Sequence, residues 1–286
     1  MLSRGVDSVG MGPPLKKTLA NGENYAILSG ENAEGSGENM VDIHCHIVPE
    51  VDDGAWDMET AVRMARLARD SGVTKIVATP HFKGVPEELE AIPFVMHQFR
   101  LLQSALKRDV PQVELVQGME VLCVPQTIEL AHRGLLPTIG KSRYVLTEFY
   151  FDASAGFMDE TLHALRSLGY SPIVAHPERY GAVQREPGLA RSWFERGIVL
   201  QVNKGSVLGA FGRRAEDAAL RMLDRGTVHI IASDAHSPEI RTTDLSPVRQ
   251  WCLDNLGRTY TKILLEDNPD RVTKGKPMCR VGDSSL

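Results

Sequence analysis

The chain has 286 residues, 42% of them hydrophobic and 6% aromatic, with a formal net charge of -5. That length supports a large core as one or two domains, and scattered basic residues with few aromatics exclude a nucleic-acid surface. No apolar run reaches the roughly 18 residues of a membrane span, and Cys45, Cys123, Cys252 and Cys279 form no C-x-x-C pair, so reduced thiols in a cytoplasmic protein fit best.

Residues 1–40 repeat GEN at 22–24, 30–32 and 37–39 in a segment rich in Gly, Asn and Ser. Such a composition buries too little apolar surface to offset its ordering entropy and carries no signal-peptide pattern, so it reads as a flexible extension, with Met40 as an alternative start. From Val41 the chain alternates. Strand-like runs fall at 41–47, 74–79, 113–119, 143–149, 171–176, 198–203 and 228–233, separated by helical patterns. METAVRMARLARDSG carries apolar residues at the helical period and stops at Gly72. EELEAIPFVMHQFRLLQSALKR is longer and breaks before Pro93. Seven strand–helix units predict a parallel α/β sheet, most readily closed into a distorted (β/α)7 TIM-like barrel over residues 41–270, followed by a tail at 271–286. No G-x-G-x-x-G turn supports an open dinucleotide-binding sheet.

The polar residues gather at the strand ends, where a parallel barrel carries its chemistry. In VDIHCHIVPEVDDG, alternation puts His44 and His46 on one face, ahead of Asp52 and Asp53. Later strands end on His81, Glu120, Glu148, His176, and Asp234 with His236. Surface capping explains one or two such ends but not five of the nine histidines of the chain. These nine nitrogen and oxygen donors, His44, His46, Asp53, His81, Glu120, Glu148, His176, Asp234 and His236, include no sulfur. They suit two or three divalent ions such as manganese, iron or zinc.

The motifs DIHCHIVPEVDDG, TPH, QGMEV, LTEF, AHPERY and SDAH resemble those of the polymerase and histidinol phosphatase (PHP) superfamily, and within it the bacterial manganese-dependent tyrosine phosphatases of capsule and exopolysaccharide operons. The resemblance runs from about Met40 to Pro269 and implies the PHP barrel with a trinuclear site. One ion takes His44, His46, Glu120 and Asp234; a second shares Glu120 with Glu148 and His176; the third takes Asp53, His81 and His236. A carboxylate at position 148 is similar to the tyrosine phosphatase branch. Asp52 is expected to support a ligand. Arg179 and Arg241 match the phosphate-binding arginines, a role suited to the guanidinium fork. Lys204 follows a strand without a role assigned to it. The resemblance further implies a phosphotyrosyl protein substrate, a bacterial tyrosine autokinase among them, and a homo-oligomer. Alternatives are histidinol phosphate or another small phosphomonoester, and a metal-bound regulatory module without turnover. Cys252 and Arg258 have the Cys-x5-Arg spacing of thiolate phosphatases, but WCLDNLGRTY reads as a helix end stopped by Gly257.

Overall fold

Nine strands, all paired in parallel, form where the apolar runs fall within residues 39–280, the part of the chain that this computed structural model describes. They are β1 (Met40–Cys45), β2 (Val73–Ala78), β3 (His81–Phe82), β4 (Glu114–Gln117), β5 (Glu120–Leu122), β6 (Tyr144–Glu148), β7 (Ser171–Ala175), β8 (Val199–Asn203) and β9 (Ile230–Ala232). The flexible extension expected over 1–40 lies almost wholly outside the described residues, as do 281–286.

Two of the seven predicted strands, 74–79 and 113–119, correspond to β2 and β4, and each is followed after a two-residue break by a short strand beyond the predicted run, β3 and β5. Thr79–Pro80 separates β2 from β3, and Gly118–Met119 separates β4 from β5. Pro80 has no N–H to give to a ladder, and a Cβ on Gly118 would meet the Val77 side chain at 2.9 Å. The breaks divide the pairing into a three-stranded sheet, β1-β2-β4, and a six-stranded sheet, β3-β5-β6-β7-β8-β9. The fold is therefore mixed α/β with parallel sheets. Beyond β9, a parallel bridge joins Cys45 to Ala235, and the Asp234 N–H donates to the His44 carbonyl at 2.8 Å.

The connecting helices are α1 (Met58–Asp70), α2 (Ile92–Asp109), α3 (Thr127–His132), α4 (Ala155–Ser167), α5 (Gly181–Arg185), α6 (Gly188–Glu195), α7 (Lys204–Val207), α8 (Arg213–Asp224), α9 (Ser246–Leu256), α10 (Arg258–Lys262) and α11 (Asn268–Thr273). Asp57 caps α1 by accepting from the Thr60 N–H at 2.7 Å, which satisfies one of the free donors of the first turn. The break expected before Pro93 falls at Ala91, between a 3-10 turn at Pro86–Glu90 and α2, leaving Pro93 in the first turn where it costs no hydrogen bond. Gly257, at φ 80, ends α9 as read from the sequence.

Strand alternation sorts the core. Ile43, Val77, Leu146, Ile173 and Ile230 form one inner cluster, while Ile76, Val145, Val174, Leu200 and Ile231 belong to a larger cluster shared with the helices. The boundary predicted at 270 falls inside α11, and the described residues after it, up to 280, pack on the domain. Asn268 bonds both the N–H and the carbonyl of Cys279, at 2.7 and 3.0 Å, and the Tyr144 hydroxyl donates to the Lys276 carbonyl. All four cysteines are free and buried. No helix among the described residues is long and apolar enough to cross a membrane.

Candidate metal centre

Glu120, the first residue of β5, is the hub of the strand-end cluster. Its Oε1 lies 3.2 Å from His44 Nε2 and 3.1 Å from His176 Nε2. Its Oε2 lies 3.3 Å from His46 Nε2 and 3.2 Å from His81 Nδ1. Four imidazoles thus surround one carboxylate that is 1% exposed. Asp234 Oδ1 closes the group from the far side, at 3.4 Å from His44 Nε2 and 3.6 Å from His46 Nε2. Glu148, at the end of β6, sends Oε1 to within 3.6 Å of His176 Nε2 and Oε2 to within 3.9 Å of His81 Nδ1. Toward solvent, Asp53 Oδ1 faces His81 Nε2 at 3.2 Å and His236 Nε2 at 3.4 Å.

All nine residues singled out in the sequence fall into four overlapping donor groups, within each of which the ligand atoms lie no more than 4.8 Å apart. The groups are His46–Asp53–His81–His236, His44–His46–Asp234, His44–Glu120–His176 and His81–Glu120–Glu148. The partition differs in detail from the expected one, because His46 also joins the outer group, His44 the group around Glu120 and His176, and His81 the group around Glu120 and Glu148. Metal–donor bonds of about 2.1 Å put neighbouring donors about 3.0–3.4 Å apart in octahedral or tetrahedral coordination, which is the spacing of most of these pairs. The donor set fits divalent cations.

The rest of the hydrogen bonding turns the rings the right way for that role. His44 Nδ1 meets Gln201 Oε1 at 2.8 Å, and His46 Nδ1 meets Asp52 Oδ2 at 2.8 Å. With Nδ1 donating in both, the Nε2 lone pairs point inward. Asp52 also accepts from the Gly54 and His81 N–H groups, and its carboxyl is held down at about 2, burial being outweighed by the His46 bond. Burial alone would make His46 less basic, but Asp52 and Glu120 outweigh it and raise it to about 10. Burial and the neighbouring Glu120 charge push Glu148 up. The cluster is short of positive charge.

Sequence reasoning found the strand-end donors but missed the residues that brace them. Gln201 Nε2 donates to Asn203 Oδ1 at 2.8 Å, and Asn203 Nδ2 donates to Asp234 Oδ2 at 2.5 Å. A continuous relay of amides therefore links His44 to Asp234. Its sequence signal was two amides at alternate positions of the otherwise apolar VLQVN strand. Asp42, wholly buried in β1, accepts from the Ser233 N–H at 3.0 Å and so ties β1 to the turn that carries Asp234. Gly54 is required by the loop that delivers Asp53, since a Cβ there would lie 2.0 Å from the His46 carbonyl oxygen.

Both candidate arginines reach the same place. Arg179 Nη1 lies 3.3 Å from Asp234 Oδ2, and Arg241 Nη2 bonds that oxygen as well. His176, Asp234 and Arg241 have φ of 36°, 51° and 53°, the left-handed region that non-glycine residues avoid. Only Glu50 shares this among the described non-glycine residues. Lys204, by contrast, is tied to the Thr242 and Asp244 carbonyls, holding the loop behind Arg241.

A parallel α/β fold with buried nitrogen and oxygen donors clustered at its strand ends defines a class, that of proteins built to hold hard or borderline divalent cations. Within it, residues 40–274 match the family model of CpsB/CapC, capsular polysaccharide synthesis, and the chain belongs to that family. It is 34% identical over 203 residues to the tyrosine-protein phosphatase YwqE of Bacillus subtilis, covering 71% of this chain and 79% of that protein. It is 29% identical to the tyrosine-protein phosphatase CpsB of Streptococcus pneumoniae, over 82% of this chain and 98% of that one. Among solved structures, one from work on YwqE and CpsB, described as metal-dependent tyrosine phosphatases, is similar with a TM-score of 0.75 and 28% identity, over 84% of this chain and 97% of that chain.

Proposed function

We propose that this chain is a metal-dependent phosphomonoesterase that acts on phosphotyrosyl protein. The observation that carries the reading is the convergence of nine nitrogen and oxygen donors and two arginines around Asp234 and Glu120. His44, His46, Asp53, His81, Glu120, Glu148, His176, Asp234 and His236 would hold two or three ions, with manganese as the proposed metal. Divalent cations supply Lewis acidity to a phosphoryl oxygen and acidify water. The chain's own part is positional. Arg179 and Arg241 hold phosphate oxygens and balance the charge developing on them, with no donor to be reoriented during reaction. The phenol of tyrosine, with a pKa of about 10, leaves with less proton donation than an alkyl alcohol needs. Tyr150 and Phe151, 58% and 47% exposed, give the rim an apolar border suited to an aryl group.

Membership of the CpsB/CapC family supports a tyrosine autokinase of capsule or exopolysaccharide synthesis as the partner, and the cytoplasm as the place where the two meet. We read the two sheets as one distorted seven-strand barrel, supported by the Cys45–Ala235 bridge beyond β9 and by the short breaks at Thr79–Pro80 and Gly118–Met119. Phosphate release from a phosphotyrosyl peptide and from histidinol phosphate, before and after chelation and manganese return, tests the function. The expected result is a preference for the peptide, loss of turnover on chelation, and recovery with manganese. A tenfold preference for histidinol phosphate, about 1.4 kcal/mol in transition-state binding, would overturn the substrate assignment. Full activity without bound metal would overturn the chemistry.

A further inference from the structure

Gly205 follows β8 in the short helix α7, and a Cβ at that position would meet the Phe211 ring at 2.7 Å. The bare backbone lets the ring of Phe211 come this close. Against the same ring sits the Arg179 guanidinium, its central carbon 4.5 Å from the ring centroid. The Phe151 ring approaches that carbon too, at 4.6 Å. The Arg241 guanidinium is 5.6 Å from the Phe211 centroid. One side chain, absent from the donor set, therefore touches both arginines.

We propose that Phe211, seated on Gly205 and assisted by Phe151, is a positioning residue that holds Arg179 and Arg241 ready for the substrate phosphate. The inference rests on the reading of the two arginines as phosphate-binding groups. Ring faces attract the planar cations without using any of their N–H donors. Carboxylates would fix the arginines equally well, but they would occupy those donors and cancel the charge. Among the described residues, Asp234 is the only acid paired with either arginine. The aromatic clamp keeps the remaining donors for phosphate oxygens. It also keeps two long side chains from sampling other rotamers, and this loss of freedom is then complete before substrate arrives.

The test uses the full chain loaded with manganese, a phosphotyrosyl peptide as substrate, and calorimetric titration with orthophosphate. Phe211→Leu keeps the apolar bulk and removes the ring face, so KM and the orthophosphate dissociation constant should both rise about tenfold. Bound metal and melting temperature should stay at the wild-type level. Phe211→Tyr restores a ring face and should return both constants to within about twofold of wild type. Gly205→Ala leaves Phe211 in the chain but pushes its ring aside, and should reproduce the leucine phenotype even if Phe211→Leu folds poorly. Unchanged orthophosphate affinity in folded Phe211→Leu or Gly205→Ala overturns the proposal, as does a tyrosine variant no better than leucine. Calorimetry judges the clamp even if the wild type hydrolyses no phosphotyrosine, an outcome that would overturn only the phosphatase reading.

Discussion

Glu120 meets four imidazoles because three other strands bring them to it, β1 with His44 and His46, β3 with His81 and β7 with His176 just beyond its end, and no single stretch of sequence records that geometry. What sequence does record is the type of residue at each strand end, and the donors were legible for that reason. Gln201 and Asn203 were not, since their partners His44 and Asp234 lie far away in the chain, 157 positions in the first case. An amide in a buried strand has many possible partners until the fold is known. Gln201→Leu is isosteric enough to pack, but it leaves His44 Nδ1 without its acceptor and Asn203 without its donor. Manganese affinity is expected to fall about 10- to 100-fold, the usual loss when a group orienting a ligand is removed. Equilibrium dialysis with elemental analysis measures it, and unaltered affinity would count against the relay.

Whole elements were read more securely than their edges. Hydrophobic runs locate seven of the nine strands to within about two residues, because an apolar run flanked by polar turns admits little else, while the short β3 and β5 lie beyond them. The divisions at Thr79–Pro80 and Gly118–Met119 escaped notice, since they come from the steric demands of neighbouring strands and leave the apolar pattern intact. The entry to β9 carries a pH prediction. His229 is 3% exposed, and its Nδ1 accepts from the Leu200 N–H at 3.1 Å. Burial, helped by the Arg280 charge, lowers it from 6.5 to about 4. Between those pH values the unfolded chain binds the extra proton and the folded one does not. The stability tied to His229 is thus complete above about pH 6.5 and is lost as pH falls toward 4, by up to roughly 3 kcal/mol. Urea unfolding of the wild type and of His229→Gln across this range checks it. The variant should show the shallower decline, and parallel curves would remove His229 as the cause.

Across the molecule, protein groups hold three of the donors, Asp52 on His46, Gln201 on His44 and Asn203 on Asp234, and Asp42 bonded to Ser233 fixes the turn that carries Asp234. The chain should therefore fold before it is loaded, unlike small domains in which metal binding and folding are one event. Chelated protein is expected to keep its far-ultraviolet circular dichroism. Its melting temperature should rise on manganese addition, as binding to the native state alone requires, with about 2.7 kcal/mol gained at a hundredfold excess over the dissociation constant. A chelated chain that has lost its secondary structure would show instead that the sheets depend on the ions.

On the proposed reading of the site, the left-handed backbone at His176, Asp234 and Arg241 sets heat resistance and activity against each other. Each such residue costs roughly 1–3 kcal/mol that glycine would not. A mutant library screened only for survival of heating should accumulate glycine or asparagine at these three positions. The survivors, identified by sequencing, should be sturdier proteins with poor catalysis.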